Sequence, residues 1–159
     1  VSGHISIFDI PALAFVRQES TMQMLTYPNP RSGHIKQNAW RSQFGIYATP
    51  VNINSLRRAV KRLRQNGLVI TGVEWPDRTA PLPVQFFGRP TQLALGHIRL
   101  AMETGAMIVP VYTARLSRRR YQIELMAEPF QVVKQRGQDR RQLIKEAAER
   151  VLRGLEVVI

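Results

Sequence analysis

Apolar residues recur along the chain with two periods. The clearest helical stripe lies in residues 54–66, where Leu56, Ala59, Val60 and Leu63 fall on one face and Arg57, Arg58, Lys61, Arg62 and Arg64 take the rest. Asn54 or Ser55 is placed to cap its start and Gly67 its end. A second long stripe (Leu143, Ile144, Ala147, Val151, Leu152 and Leu155) predicts a helix over 139–155. Weaker patterns predict helices over 8–19, with Pro11 in the first turn, over 34–44, ended by Gly45, and over 91–103, ended by Gly105.

Between these helices lie short apolar runs that read as strands: residues 1–5, 22–27, 68–73, 84–87 and 106–113. Residues 121–126 alternate, and the basic tip at 116–120 joins them to the run before as a hairpin. Tyr27-Pro28-Asn29-Pro30 and Gly88-Arg89-Pro90 are turn signals. Strands alternating with helices predict an α/β domain, a mostly parallel sheet flanked by helices with one antiparallel hairpin. In such sheets ligands bind at the strand-to-helix loops. Three loops qualify: 4–9, 74–83 and 87–91.

Composition narrows the chemistry. The chain has 159 residues, enough for one domain, and its 44% apolar content can bury a core. It has no cysteine, which excludes a disulfide scaffold, a thiolate metal site and a cysteine nucleophile. Three scattered histidines make no metal cluster. There is no Gly-x-Ser-x-Gly elbow, P-loop or dinucleotide glycine pattern. No apolar run approaches the roughly 20 residues of a membrane span. The opening Val1-Ser2-Gly3-His4 has no initiator Met and reads as part of a longer protein. The net charge of +12 favours an anionic partner: nucleic acid, an anionic membrane surface or an acidic carrier.

His4 and Asp9 carry the most chemistry. A strand end, a turn and a helix start can bring side chains at this spacing together. An aspartate on one imidazole nitrogen orients the ring and stabilises the imidazolium formed when the other nitrogen takes a proton. That arrangement is a general base for a hydroxyl. A surface His beside a helix-capping Asp has the same spacing. Phe86 and Phe87, adjacent on a strand, point to opposite faces, one into the core and one toward an apolar channel. The following Gly88 permits close approach of the backbone.

The order of these pieces resembles the lysophospholipid acyltransferase superfamily, in its branch of bacterial lipid A biosynthesis acyltransferases. His4-Ile5-Ser6-Ile7-Phe8-Asp9 matches the His-x4-Asp/Glu (HX4D) block. Arg41-Ser42-Gln43-Phe44-Gly45 resembles the second block, Pro83 to Pro90 a "VPFFGRP" segment, and Thr104 to Val111 the block ending at Pro110-Val111. The third, acidic block departs from the family: here it is Glu74-Trp75-Pro76-Asp77-Arg78, and either Glu74 or Asp77 fills its place.

The resemblance implies transfer of a fatty acyl chain from acyl-CoA or acyl carrier protein to a hydroxyl of a phospho- or glycolipid. His4 would be the base and Asp9 its orienter, with no cofactor and no metal. Arg41, Arg78 and Arg89 are its candidates for holding acceptor phosphate. Gly45, Glu74, Asp77, Phe87, Gly88 and Pro110 complete the expected substrate-binding set. It implies a bacterial enzyme, peripheral on the cytoplasmic face of the inner membrane, with residues 1–159 as a partial catalytic domain. The upstream strand, a membrane-proximal helix and a C-terminal segment would be missing. The rival expectation is a non-catalytic basic α/β module binding nucleic acid or an anionic membrane. No nucleic-acid module stands out, which disfavours nucleic acid.

Overall fold

The computed structural model describes residues 1–2, 9–19, 21–28, 32–134 and 137–159. His4 and the expected strand end at 3–5 lie outside the described residues, as do Asn29 and Pro30 of the expected turn. The elements run α1 (Asp9–Glu19), β1 (Met22–Thr26), α2 (Ser32–Ser42), β2 (Ile46–Pro50), α3 (Ile53–Arg64), β3 (Leu68–Ile70), β4 (Val84–Phe86), β5 (Arg89–Thr91), α4 (Gly96–Thr104), β6 (Val111–Ser117), β7 (Arg120–Leu125) and α5 (Arg140–Val158).

β1 is the centre of a parallel sheet of order β2-β1-β3. Its first four residues, Met-Gln-Met-Leu, are all buried, as expected of a parallel strand covered on both faces. Gln23 is tolerated there because its Nε2 donates to Thr49 Oγ1 and to the Ser55 carbonyl, each at 2.9 Å. Ser2 bridges in parallel to both Gly72 and Val111, so the first residues slot between β3 and β6. The Ser2 N–H donates to the Thr71 carbonyl and the Val111 N–H to the Val1 carbonyl, both at 3.0 Å. β7 then pairs antiparallel with β6 as the expected hairpin.

The crossovers β1-α2-β2 and β2-α3-β3 step in opposite directions. Right-handed connections therefore place α2 and α3 on opposite faces. α1 and α2 share one face, joined through Asp9 and Arg41. On the other face α3 packs on α4, and α4 on α5. One apolar cluster joins Val84, Leu93, Ile98 and Ile108 to Ile144, Val151 and Leu155 of α5. A second joins Ala12 of α1 to Met22, Met24, Ile46 and Ile70 of the sheet.

Several local expectations shift. The cap of α3 is Asn52, two or three residues earlier than expected. Its side chain accepts from Asn54 and Ser55 N–H, and the Ser55 hydroxyl accepts from Asn52 N–H. The left-handed residue after α3 is Asn66, not Gly67. β2 was not visible in the apolar pattern. α4 begins at Gly96 instead of residue 91, because residues 89–91 pair with β4 and Gln92 and Ala94 are tied by backbone hydrogen bonds to Asp77 and Trp75.

Gly154 is in the middle of α5, where glycine ordinarily weakens a helix. A Cβ there would meet the Met126 carbonyl oxygen at 2.3 Å. Gly33 in α2 has open space around it. Gly154→Ala is expected to lower stability by about 1–3 kcal/mol through backbone displacement. Gly33→Ala is expected to raise it by about 0.5–1 kcal/mol. Urea midpoints of the two variants measured side by side check the contrast.

Candidate active site

All parallel strands end on the same side of the sheet, and their carboxyl ends open into a groove of about 890 Å³. The strand ends supply Thr26, Tyr27 and Pro28 after β1, Val51 after β2, and Thr71 and Gly72 after β3. α1 contributes Asp9, α2 contributes His34, Gln37, Asn38 and Arg41, and the loop after β3 contributes Trp75 to Arg78. His97 and Leu100 of α4 complete the wall.

Asp9 is the first residue of α1, where a carboxylate faces the positive end of the helix dipole. Its side chain is 15% exposed. Arg41 Nε donates to Asp9 Oδ1 at 2.6 Å, and Gln37 Nε2 donates to Oδ2 at 3.2 Å. Arg41 Nη1 in turn donates to Asn38 Oδ1 at 2.8 Å. Gln37, Asn38 and Arg41 thus turn one face of α2 onto the carboxylate. A carboxylate has about four acceptor sites, so two donors leave room for a ring N–H. Arg41, expected to hold phosphate, has its Nε on Asp9 and its Nη1 on Asn38, and only 8% of it is exposed.

The remaining expected residues separate into two places. Asp77 and Arg78 line the groove. Glu74 is not among the lining residues; its Oε2 accepts from the Val73 N–H. Asp77 Oδ1 accepts from the Thr79 hydroxyl at 2.6 Å and from its N–H at 2.9 Å. These bonds hold the Asp77 carboxyl below the usual carboxylate range. They also shape the loop that presents Arg78.

Phe87, Gly88 and Arg89 lie away from the groove lining, so of the three expected loops the one at 87–91 does not reach it. They form the tight turn between β4 and β5, with Phe87 and Gly88 both at positive φ. Phe87 is 53% exposed and off the groove lining, and its N–H donates to Glu156 Oε1. Gly45, at φ 78, turns the chain from α2 into β2, and Pro110 is buried. Among the described residues no group of three or more His, Asp or Glu side chains is placed to hold a metal ion.

The sequence reading passed over Gln37, Asn38, Tyr27, Trp75 and His97. Tyr27 and Trp75 stack at the groove edge with ring centroids 4.9 Å apart. Tyr27 had a usable signal, because it closes a parallel strand at the end where ligands bind. Gln37 and Asn38 had none, since only the docking of α2 on β2 brings them to Asp9 and Arg41.

His97 is partly buried on the groove wall, and desolvation there pushes its pKa from 6.5 down to about 3. Between those values the unfolded chain takes up a proton that the folded ring refuses. Stability from this residue is full above pH 6.5 and is lost as the pH falls toward about 3. The unfolding free energy is expected to drop by up to about 1.4 kcal/mol per pH unit from about pH 6 to pH 4.5. His97→Gln should flatten that slope, and an unchanged slope would remove His97 as its source.

The described helices include none long and apolar enough to cross a membrane. A search of curated proteins finds no significant match to this chain. The family profile described as bacterial lipid A biosynthesis acyltransferase matches residues 1–155. With nearly the whole chain matched, and a groove at the carboxyl ends of a parallel sheet, the protein belongs to the family of bacterial lipid A biosynthesis acyltransferases.

Proposed function

We propose that this chain transfers a fatty acyl group from a thioester donor, acyl carrier protein or acyl-CoA, to a hydroxyl of a phospho- or glycolipid. The observation that carries the reading is Asp9, a shielded carboxylate at the head of α1 on the groove, with His4 five positions earlier in the chain. His4 takes the proton from the acceptor hydroxyl while Asp9 holds the opposite ring nitrogen. The acceptor oxygen forms a bond to the thioester carbonyl carbon, the carbon–sulfur bond breaks, and the proton passes from the imidazolium to the leaving thiolate. No protein nucleophile is used.

Arg41 keeps the Asp9 carboxylate in place. Arg78, exposed on the groove edge, is the arginine free to meet an acceptor phosphate. The groove lining is mainly apolar, with Met24, Leu25, Leu56 and Leu100 suited to an acyl chain. Residues 1–159 act as a catalytic domain working on the cytoplasmic face of the inner membrane. The test is release of free thiol from acyl carrier protein or acyl-CoA that depends on an added lipid hydroxyl, with the acylated lipid seen by mass spectrometry. Absence of an acylated product with every hydroxyl lipid offered, from a folded protein, would overturn the reading.

A further inference from the structure

The β6–β7 hairpin leaves the molecule on the side where the groove opens. Ser2 bridges in parallel to Gly72, which lines the groove just past β3, and to Val111, the first residue of β6. β6 therefore starts where β3 has ended, two strand spacings or about 10 Å away, and runs in the same direction. Its 7 residues carry the chain up to about 20 Å past that level before β7 returns. Thr113 is still buried, but every residue from Arg115 to Arg120 is exposed.

This tip gathers Arg115, Arg118, Arg119 and Arg120 around Leu116. From Thr104 to Ile123 the sequence has no Asp or Glu, and among the described residues none of the four arginines is in an ion pair. A tight hairpin turn ordinarily takes Asn or Gly, yet here it is Arg118-Arg119. Leu116 falls at a break in the strand register, has no partner on β7 and is 53% exposed. Cations that only kept an edge strand from pairing would be spread along it. After Arg120, β7 has no Lys or Arg, so the charge is concentrated at the turn.

The surroundings of the tip select its partner. On the same side of the molecule Tyr27 and Trp75, each 44% exposed, stack at the groove edge, and Arg78 is exposed beside them. Trp and Tyr favour the headgroup level of a bilayer, and each basic residue near an anionic surface adds attraction. A soluble anion would need the arginines alone. An exposed leucine among them, with an aromatic pair facing the same way, fits a phospholipid surface.

We infer that the β6–β7 tip, with Arg115 and Arg118 to Arg120 around Leu116, docks on an anionic phospholipid bilayer and holds the groove mouth against it. The inference rests on the lipid acceptor of the proposed function, and it assigns the surface through which that lipid is reached.

The test compares two variants that lose the same charge. Arg118→Gln with Arg119→Gln and Arg120→Gln strips the tip, and Arg57→Gln with Arg58→Gln and Lys61→Gln strips the exposed side of α3. Binding to vesicles of phosphatidylglycerol and phosphatidylcholine is expected to fall about a hundredfold for the tip variant. The α3 variant should lose only a few-fold. Leu116→Ser should weaken binding several-fold. Added salt should release the unaltered protein, and phosphatidylcholine alone should bind it weakly. The tip variant should slow transfer to a vesicle-embedded acceptor while sparing transfer to a detergent-dispersed one.

Normal vesicle binding by the tip variant would overturn the surface. So would equal losses in the two variants, which would mark overall charge as the cause. A tip variant that binds vesicles normally but has a raised KM for acyl carrier protein would assign the tip to the donor instead. If the tip binds vesicles but no acceptor is acylated, the docking surface stands and the transfer reading falls. If the tip variant acylates a vesicle-embedded acceptor at full rate, the reverse holds.

Discussion

His4→Ala is expected to lower acyl transfer by roughly 10²–10⁴-fold, the usual worth of a general base. The wild-type rate should rise with pH as the imidazole loses its proton, and then level off. Arginines that hold phosphate keep their charge throughout and give no such inflection. Asp9→Asn should lose less in rate, since an amide still accepts a hydrogen bond but stabilises the imidazolium poorly. It differs from His4→Ala in a second readout. Arg41 is 8% exposed and would lose its carboxylate, so Asp9→Asn should also lower the melting temperature. Near-normal transfer by folded His4→Ala would sink the mechanism and bring forward the non-catalytic basic module.

Arg41→Ala is the second large effect, and it separates two roles for one residue. Removing the guanidinium leaves Asp9, only 15% exposed, without its 2.6 Å partner. Breaking such a pair costs about 3–5 kcal/mol when the remaining charge stays buried. The loss should show as a lower urea midpoint. A carboxylate that drifts by about 1 Å costs the rate on the order of 10²-fold. That loss should fall on kcat, with little change in KM for the acceptor. Arg41→Lys should restore part of the stability and less of the rate, because an ammonium cannot reach Asp9 and Asn38 together as the fork does. The opposite split, a raised KM for phosphorylated acceptors with kcat kept, would return Arg41 to phosphate binding.

The α3 stripe, the α5 stripe and the β6–β7 hairpin were legible because each is specified locally, by periodicity and a turn. The sequence by itself also determined the α/β class, the surplus of cations and the five-residue spacing of His4 and Asp9. β2 was not legible: Ile46 to Pro50 has little alternation and ends in proline, which an edge strand tolerates. It is a strand because β1 pairs with it. The same applies to residues 89–91, where pairing with β4 outweighs the turn signal of Gly88-Arg89-Pro90. At the site, spacing named Asp9 and the family resemblance named Arg41, with separate roles. Only the packing of α2 on β2 brings Arg41 to Asp9, 32 positions away, and aims Gln37 at the same carboxylate. That packing also decides that Trp40 and Phe44 face solvent. An ion pair across such a distance leaves no periodic trace in the chain, because its partners are chosen by where the helices dock and not by their neighbours in sequence.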